Sequence, residues 1–164
     1  MNSENNNNHN SGGSNYGRFF LMLGLSFVAM YITMYLNTYE YDHVYFSLTR
    51  FYMTCLGIAA MAVIMLSLML KMYKSKKKNI AIYIGSLVLF VSALGLVRAQ
   101  RPIIGDVLYM KAMIPHHSIA ILTSKRADLQ DPETKKLAEE IIEAQKREIA
   151  QMKKIIYRLE NENK

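Results

Sequence analysis

Residues 51–70, FYMTCLGIAAMAVIMLSLML, run for twenty positions without a charged side chain. As a helix rising about 1.5 Å per residue, this stretch reaches roughly 30 Å, the thickness of a bilayer's hydrocarbon core. A 21-residue uncharged run, residues 19–39, precedes it, and a 19-residue run, residues 79–97, follows. The 164-residue chain divides accordingly. Residues 1–97 carry seven basic and three acidic side chains, residues 98–164 thirteen and ten. A single soluble globule is excluded. The pattern predicts an all-α protein: a three-helix membrane anchor over residues 18–97, with the lipid bilayer as its partner, and a charged C-terminal domain over residues 98–164.

Composition narrows the function classes further. The one cysteine, Cys55, lies within an apolar run, so an intramolecular disulfide, a zinc-cysteine cluster and a c-type haem motif are excluded. The net charge of +7 does not point to nucleic acid. Five of the seven N-terminal cations, Lys71, Lys74, Lys76, Lys77 and Lys78, crowd into one short loop beside an apolar run, where lysines set topology.

Outward from the spans, residues 1–17 (MNSENNNNHNSGGSNYG) are too polar to bury a core and read as a disordered tail. The following run is longer than a signal-peptide core and lacks an A-x-A-like cleavage site, so it reads as an uncleaved span. The lysine loop is expected in the cytoplasm and the loop around Glu40 outside, with the chain leaving span three on the outer face. In a bacterium that means the inner membrane, a cytoplasmic N-terminus and a periplasmic C-terminal domain. Tyr31, Tyr35, Tyr39, Tyr41 and Tyr45 read as an interfacial belt at the outer end of span one. Met61, Met65, Met69 and Met72 form a stripe that reads as filler between helices. No His, Asp or Glu lies inside a span, which removes a proton relay and bis-histidine haem; the spans read as an anchor.

Beyond Pro102 the pattern becomes amphipathic, with helices expected over residues 105–126 and 132–161. Asp131-Pro132-Glu133 is a helix start: Asp131 caps free amides, Pro132 suits the first helical position and Glu133 meets the positive helix end. The short connection implies an antiparallel hairpin. In the second helix Leu137, Ile141, Gln145, Glu148, Met152, Ile155 and Leu159 make one inward stripe. Gln145 and Glu148 interrupt it. Burying an amide and a carboxylate without partners costs several kcal/mol, about 2–7 for the amide alone. Either water reaches them or the facing helix uses them.

That facing helix carries Met110, Met113, His116 and His117 at i, i+3, i+6 and i+7, with Pro115 expected to bend it. Two thioethers and two imidazoles within two turns suit a soft-to-borderline metal; thioether selects monovalent copper and, by the same softness, silver. Met152 can add a third thioether, and Glu148 or Gln145 can accept from an imidazole N–H. The bland alternative is core methionines and satisfied histidines. Adjacent histidines diverge by about 100° around a helix, so at most one points squarely inward. The two C-terminal helices hold no Glu-x-x-His pair, no His-Glu-x-x-His run and no nucleophile–base–orienter set, so no enzyme is expected.

The strings Met110-x-x-Met113-Ile114-Pro115-His116-His117, Asp131-Pro132-Glu133 and Gln145-x-x-Glu148-Ile149-x-x-Met152 resemble the bacterial "domain of unknown function 305" family over roughly residues 106–159. The resemblance implies a ferritin-like helical fold and, as in some exported members, copper held by Met and His. Carried over, Met110, Met113, His116, His117 and Met152 are the metal ligands, with Gln145 and Glu148 behind them. The chain departs from the family at Ser118-Ile119, where Gln or Glu then Gly is frequent, and at Thr123, where Met is frequent.

Two helices are half of a four-helix bundle, so the hairpin is expected to pair as a homodimer. The sequence thus predicts an outward-facing hairpin that binds a copper ion for buffering, sensing or transfer, without haem or nucleotide. The alternative is a membrane-anchored oligomerisation module with no metal.

Overall fold

The computed structural model describes residues 11–99 and 103–162. Among them are five α-helices and no strand: α1 Ser11–Thr33, α2 Leu48–Leu68, α3 Lys76–Ala99, α4 Asp106–Arg126 and α5 Pro132–Glu162. The first three are long and apolar enough to cross a membrane. The chain forms two compact units. One holds residues up to Tyr31 together with Tyr52–Ala99; the other holds Ile32–Phe51 and the described residues after Ala99.

In the first unit the core joins Tyr16, Phe19 and Leu23 of α1, Ile58, Ala62 and Leu66 of α2, and Tyr73. Met61, Met65 and Met69 pack against it, so the methionine stripe fills space between helices, while Met72 is exposed. A polar node closes the unit at one end. Tyr16 donates its hydroxyl to Asn79 Oδ1 at 2.7 Å, and Asn79 Nδ2 donates to the Tyr73 carbonyl at 2.7 Å. Both amide ends of a buried Asn are thereby satisfied.

Tyr16 also corrects the N-terminal boundary. The polar run was expected to stay outside the anchor through residue 17, yet α1 begins at Ser11 and Tyr16 belongs to the core. Residues 1–10 of that predicted tail lie outside the described residues. At its other end span one stops at Thr33, short of residue 39. Absence of charge does not compel helix. The carbonyls of Ile32, Thr33 and Tyr35 accept three-residue turns from Tyr35, Leu36 and Thr38, which spend the helix end.

The second unit is built on α4 and α5. The Lys111–Glu160 ion pair and the His117–Glu148 contact fix their register, and the falling partner numbers make the two helices antiparallel. Asp131 caps α5 as its sequence predicts: Oδ2 accepts the Thr134 N–H at 2.7 Å and the Thr134 hydroxyl at 2.8 Å. α4 is helical throughout despite Pro115, whose missing N–H leaves the Lys111 carbonyl without its helical bond.

The inward face of α5 is wider than the expected stripe, and its most buried residues lie one position beyond it. The buried residues are Ala138, Ile149 and Ile156, with Ile142, Met152, Ile155 and Leu159 packed beside them; Leu137 is exposed. Opposite them lie Met110, Ile114 and Ile121 of α4. This centring leaves Glu148 at the rim of the helix pair, half in water, and removes the cost that its burial would carry.

Residues 34–47 of the loop between α1 and α2 fold onto this pair. Tyr39 and Tyr45 pack against its core. Tyr35 receives the Ser47 N–H at 3.0 Å and stacks under the Arg50 guanidinium, which donates to the Met34 carbonyl. Three of the tyrosines expected to form an interfacial belt are therefore used to shape the loop and dock it; Tyr41 is fully exposed.

Candidate metal centre

An open groove of about 450 Å³ runs between α4 and α5. Met110, Met113 and His117 line it from α4, Glu148 and Met152 from α5, with Tyr109 and Asp106 toward one end. The i, i+3, i+7 spacing of Met110, Met113 and His117 puts them on one face of α4, and Met152 faces them because Glu148, one turn earlier, sits opposite His117. Four of the five predicted ligands thus share one groove.

The fifth does not. His116 is exposed and does not line the groove; its ring centroid is 6.3 Å from that of His117, with the planes at 64°. The roughly 100° between neighbouring helical residues forces this choice, and packing selects His117. Gln145 is also absent from the groove wall, where Gln151 stands instead. Thr123, at the position where the family often has Met, turns its hydroxyl back to the Ile119 and Ala120 carbonyls at 3.0 and 3.2 Å. It offers nothing to a metal.

His117 is the side chain that distinguishes this groove from a packing defect. Its Nδ1 is buried and lies 2.9 Å from Glu148 Oε2, yet the N–H direction is off the line a hydrogen bond needs, so the atom has no aligned partner. A carboxylate at that distance fixes the orientation of an imidazole ring. One imidazole and three thioethers lining a single groove match the donor set of a monovalent copper or silver ion. In contrast, the groove of about 690 Å³ among the first three helices is walled by apolar and small side chains, with Lys78 and Tyr16 at one end, and has no donor set.

A second group of chemistry-bearing residues was not read from the sequence. His43, in the short 3-10 turn Tyr41–His43, is buried in the helix pair's flank. Its Nδ1 lies 3.0 Å from Ser118 Oγ, and the same oxygen accepts the Tyr39 N–H at 2.7 Å. Glu40 and Asp42 stand beside the ring, and Lys153 of α5 pairs with Asp42. Burial and the Lys153 charge push the His43 pKa down, against the smaller opposing pull of Asp42 and Glu40. The departure at Ser118 was the available signal: a small hydroxyl on a helix face leaves room for a loop.

Residues 97–162 match the family model described as "Domain of unknown function (DUF305)". No solved structure matches the chain. "Uncharacterized protein L153" of Acanthamoeba polyphaga mimivirus is 35% identical over 153 residues, which cover 92% of this chain and 98% of that protein. The likeness spans the apolar helices as well as the C-terminal pair, so the chain belongs to the family that includes the mimivirus protein, and carries a DUF305 domain behind its membrane-span helices.

Proposed function

We propose that this membrane protein holds a monovalent copper ion, or silver, in the groove between α4 and α5, through Met110, Met113, Met152 and His117. The observation that carries this reading is the groove lining, which His117 and three thioethers share. Glu148, 2.9 Å from His117 Nδ1, then serves to orient the imidazole and offset the ion's charge, which leaves Nε2 as the ligating nitrogen. His116 is left out of the single-chain site. The groove is open, so the ion can enter and leave, which suits buffering or handing on; the reading assigns no covalent chemistry and no nucleic acid.

The lysines at 71, 74 and 76–78 argue for a cytoplasmic loop between α2 and α3, and hence a groove on the far side. In a bacterial cell that is the inner membrane with the groove in the periplasm. In a cell infected by a giant virus the same charge rule turns the groove to the lumenal or outer side. The bonds from Ser118 and Lys153 to the loop at 39–42 support a shared side for loop and helix pair, as three crossings require. We further propose a ferritin-like four-helix bundle completed by a second copy, since Leu137 and Tyr157 leave apolar area of α5 exposed.

The test uses the full chain in detergent micelles, titrated with monovalent copper under reductant against a chromophoric chelator. Submicromolar binding that is lost in Met113→Leu with His117→Ala supports the reading. No binding at millimolar protein overturns it and leaves the assembly module. Sedimentation of the same samples reads the dimer.

A further inference from the structure

We propose that Glu40, Asp42 and His43 form a second, chemically different cation site, selective for a borderline divalent ion such as zinc. It lies on the loop between the first two helices and shares no residue with the thioether groove, so either reading can fail alone.

The geometry is that of a preformed three-ligand site. Their candidate ligand atoms lie within 4.8 Å of one another. His43 Nε2 is 3.6 Å from Glu40 Oε2 and 3.6 Å from Asp42 Oδ1. These separations are too long for hydrogen bonds. They are close to what a shared ion needs: bonds of 2.0–2.1 Å in a tetrahedron set neighbouring ligand atoms about 3.3 Å apart. A shift of a few tenths of an ångström brings each carboxylate to that distance from the imidazole. The two exposed carboxylates, within 4.8 Å of one another, close the third edge by side-chain rotation, with water as the fourth ligand.

The group is more than a pair of surface acids, because the imidazole is held. His43 is 6% exposed, and its far nitrogen, Nδ1, is tied to Ser118 Oγ at 3.0 Å. With Nδ1–H donating to that oxygen, the lone pair sits on Nε2, between the two carboxylates. This is the support that ligating histidines ordinarily receive from behind.

One ammonium group faces the site from α5 and determines how it stands without an ion. Lys153 takes Asp42 Oδ2, while Oδ1 is the oxygen 3.6 Å from the imidazole. Lys146 lines the same small cavity of about 230 Å³ but pairs with Glu143 at 2.9 Å. Lys153 offsets part of the carboxylate charge, which eases the repulsion within the trio. One imidazole and two carboxylates without sulfur favour zinc over monovalent copper, which prefers the thioethers.

The experiment is a zinc titration of the full chain in micelles, stripped with chelator and read by competition with a zinc indicator. It is done in the Met113→Leu, His117→Ala background, so that the groove contributes nothing. One zinc per chain is expected. Glu40→Gln with Asp42→Asn, both at exposed positions, should weaken it at least tenfold while the helical circular dichroism stays that of the parent. Zinc should also move the histidine side-chain resonance of His43 and leave that of His116 in place. Equal zinc affinity in the Gln/Asn variant, or an unmoved His43 resonance at saturation, overturns the proposal.

Discussion

Ser118 Oγ lies 3.0 Å from His43 Nδ1, so α4 is bonded through one hydroxyl to a loop 75 residues earlier in the chain. The same oxygen accepts the Tyr39 N–H. Ser118 is fully buried, and the contact is therefore kept from competing water. At this position α4 gives the loop a docking point.

Replacing Ser118 with Ala leaves two polar groups without partners, the Tyr39 N–H and the His43 ring. Leaving such groups unpaired costs about 1–3 kcal/mol. The full chain in micelles should melt earlier by a corresponding amount, and backbone amide exchange should quicken at Tyr39. Unchanged exchange there would remove Ser118 as the docking point.

The two adjacent histidines should behave oppositely toward copper. His116→Ala, at an exposed position off the groove, is expected to leave monovalent copper affinity within about twofold; His117→Ala should lower it at least tenfold, the range that loss of a supporting group already causes. Chelator competition on both variants reads the difference. Equal losses would mean that His116 reaches the ion, as a two-chain site would require.

His43 should give the chain a stability step in mildly acid solution. Its folded pKa is lowered from the ordinary 6.5, first by burial and then by Lys153. The unfolded chain therefore takes up the proton first. Stability from this group is complete above about 6.5, falls as pH drops below that value, and levels off below the folded pKa. Thermal midpoints measured with chelator present from pH 8 to 5 should show this fall, and His43→Gln should flatten it.

Asp131 should act at lower pH with the same sign. Its carboxylate accepts the Thr134 N–H and hydroxyl, and these bonds hold its pKa below the ordinary 3.8. The cap is fully made above the unfolded value of about 3.9 and is lost as pH falls through the lower folded value. Asp131→Ala should reduce α5 helicity and melting temperature at neutral pH. The gap between variant and parent should close in strong acid. A gap that persists at pH 2 would assign the stabilisation to something other than the ionised cap.

Several features were legible because they are local. The absence of charge over residues 51–70 is enough to pick out α2 as a helix apolar and long enough to cross a membrane, since burying even one ion in hydrocarbon outweighs any helix propensity. Asp131-Pro132-Glu133 announces the start of α5 because a cap needs only the next three residues. The spacing of Met110, Met113 and His117 fixes one face of a helix whatever lies opposite. Local signals fail at the span-one boundary for the same reason: residues 34–39 are uncharged but end in turns whose bonds depend on the loop they enter.

Tertiary contacts decided the rest. A sequence can state that His116 and His117 diverge, but only the packing of α5 selects which one enters the groove. Centring of the α5 core on Ile149 and Ile156 made Glu148, expected as a buried liability, a half-exposed neighbour of His117. The trio at Glu40, Asp42 and His43 acquires its held imidazole only when Ser118 arrives from α4. Chain hydropathy and helical period are sums over neighbours in sequence, whereas these side chains meet across 31 to 75 residues, where desolvation and shape determine the partner.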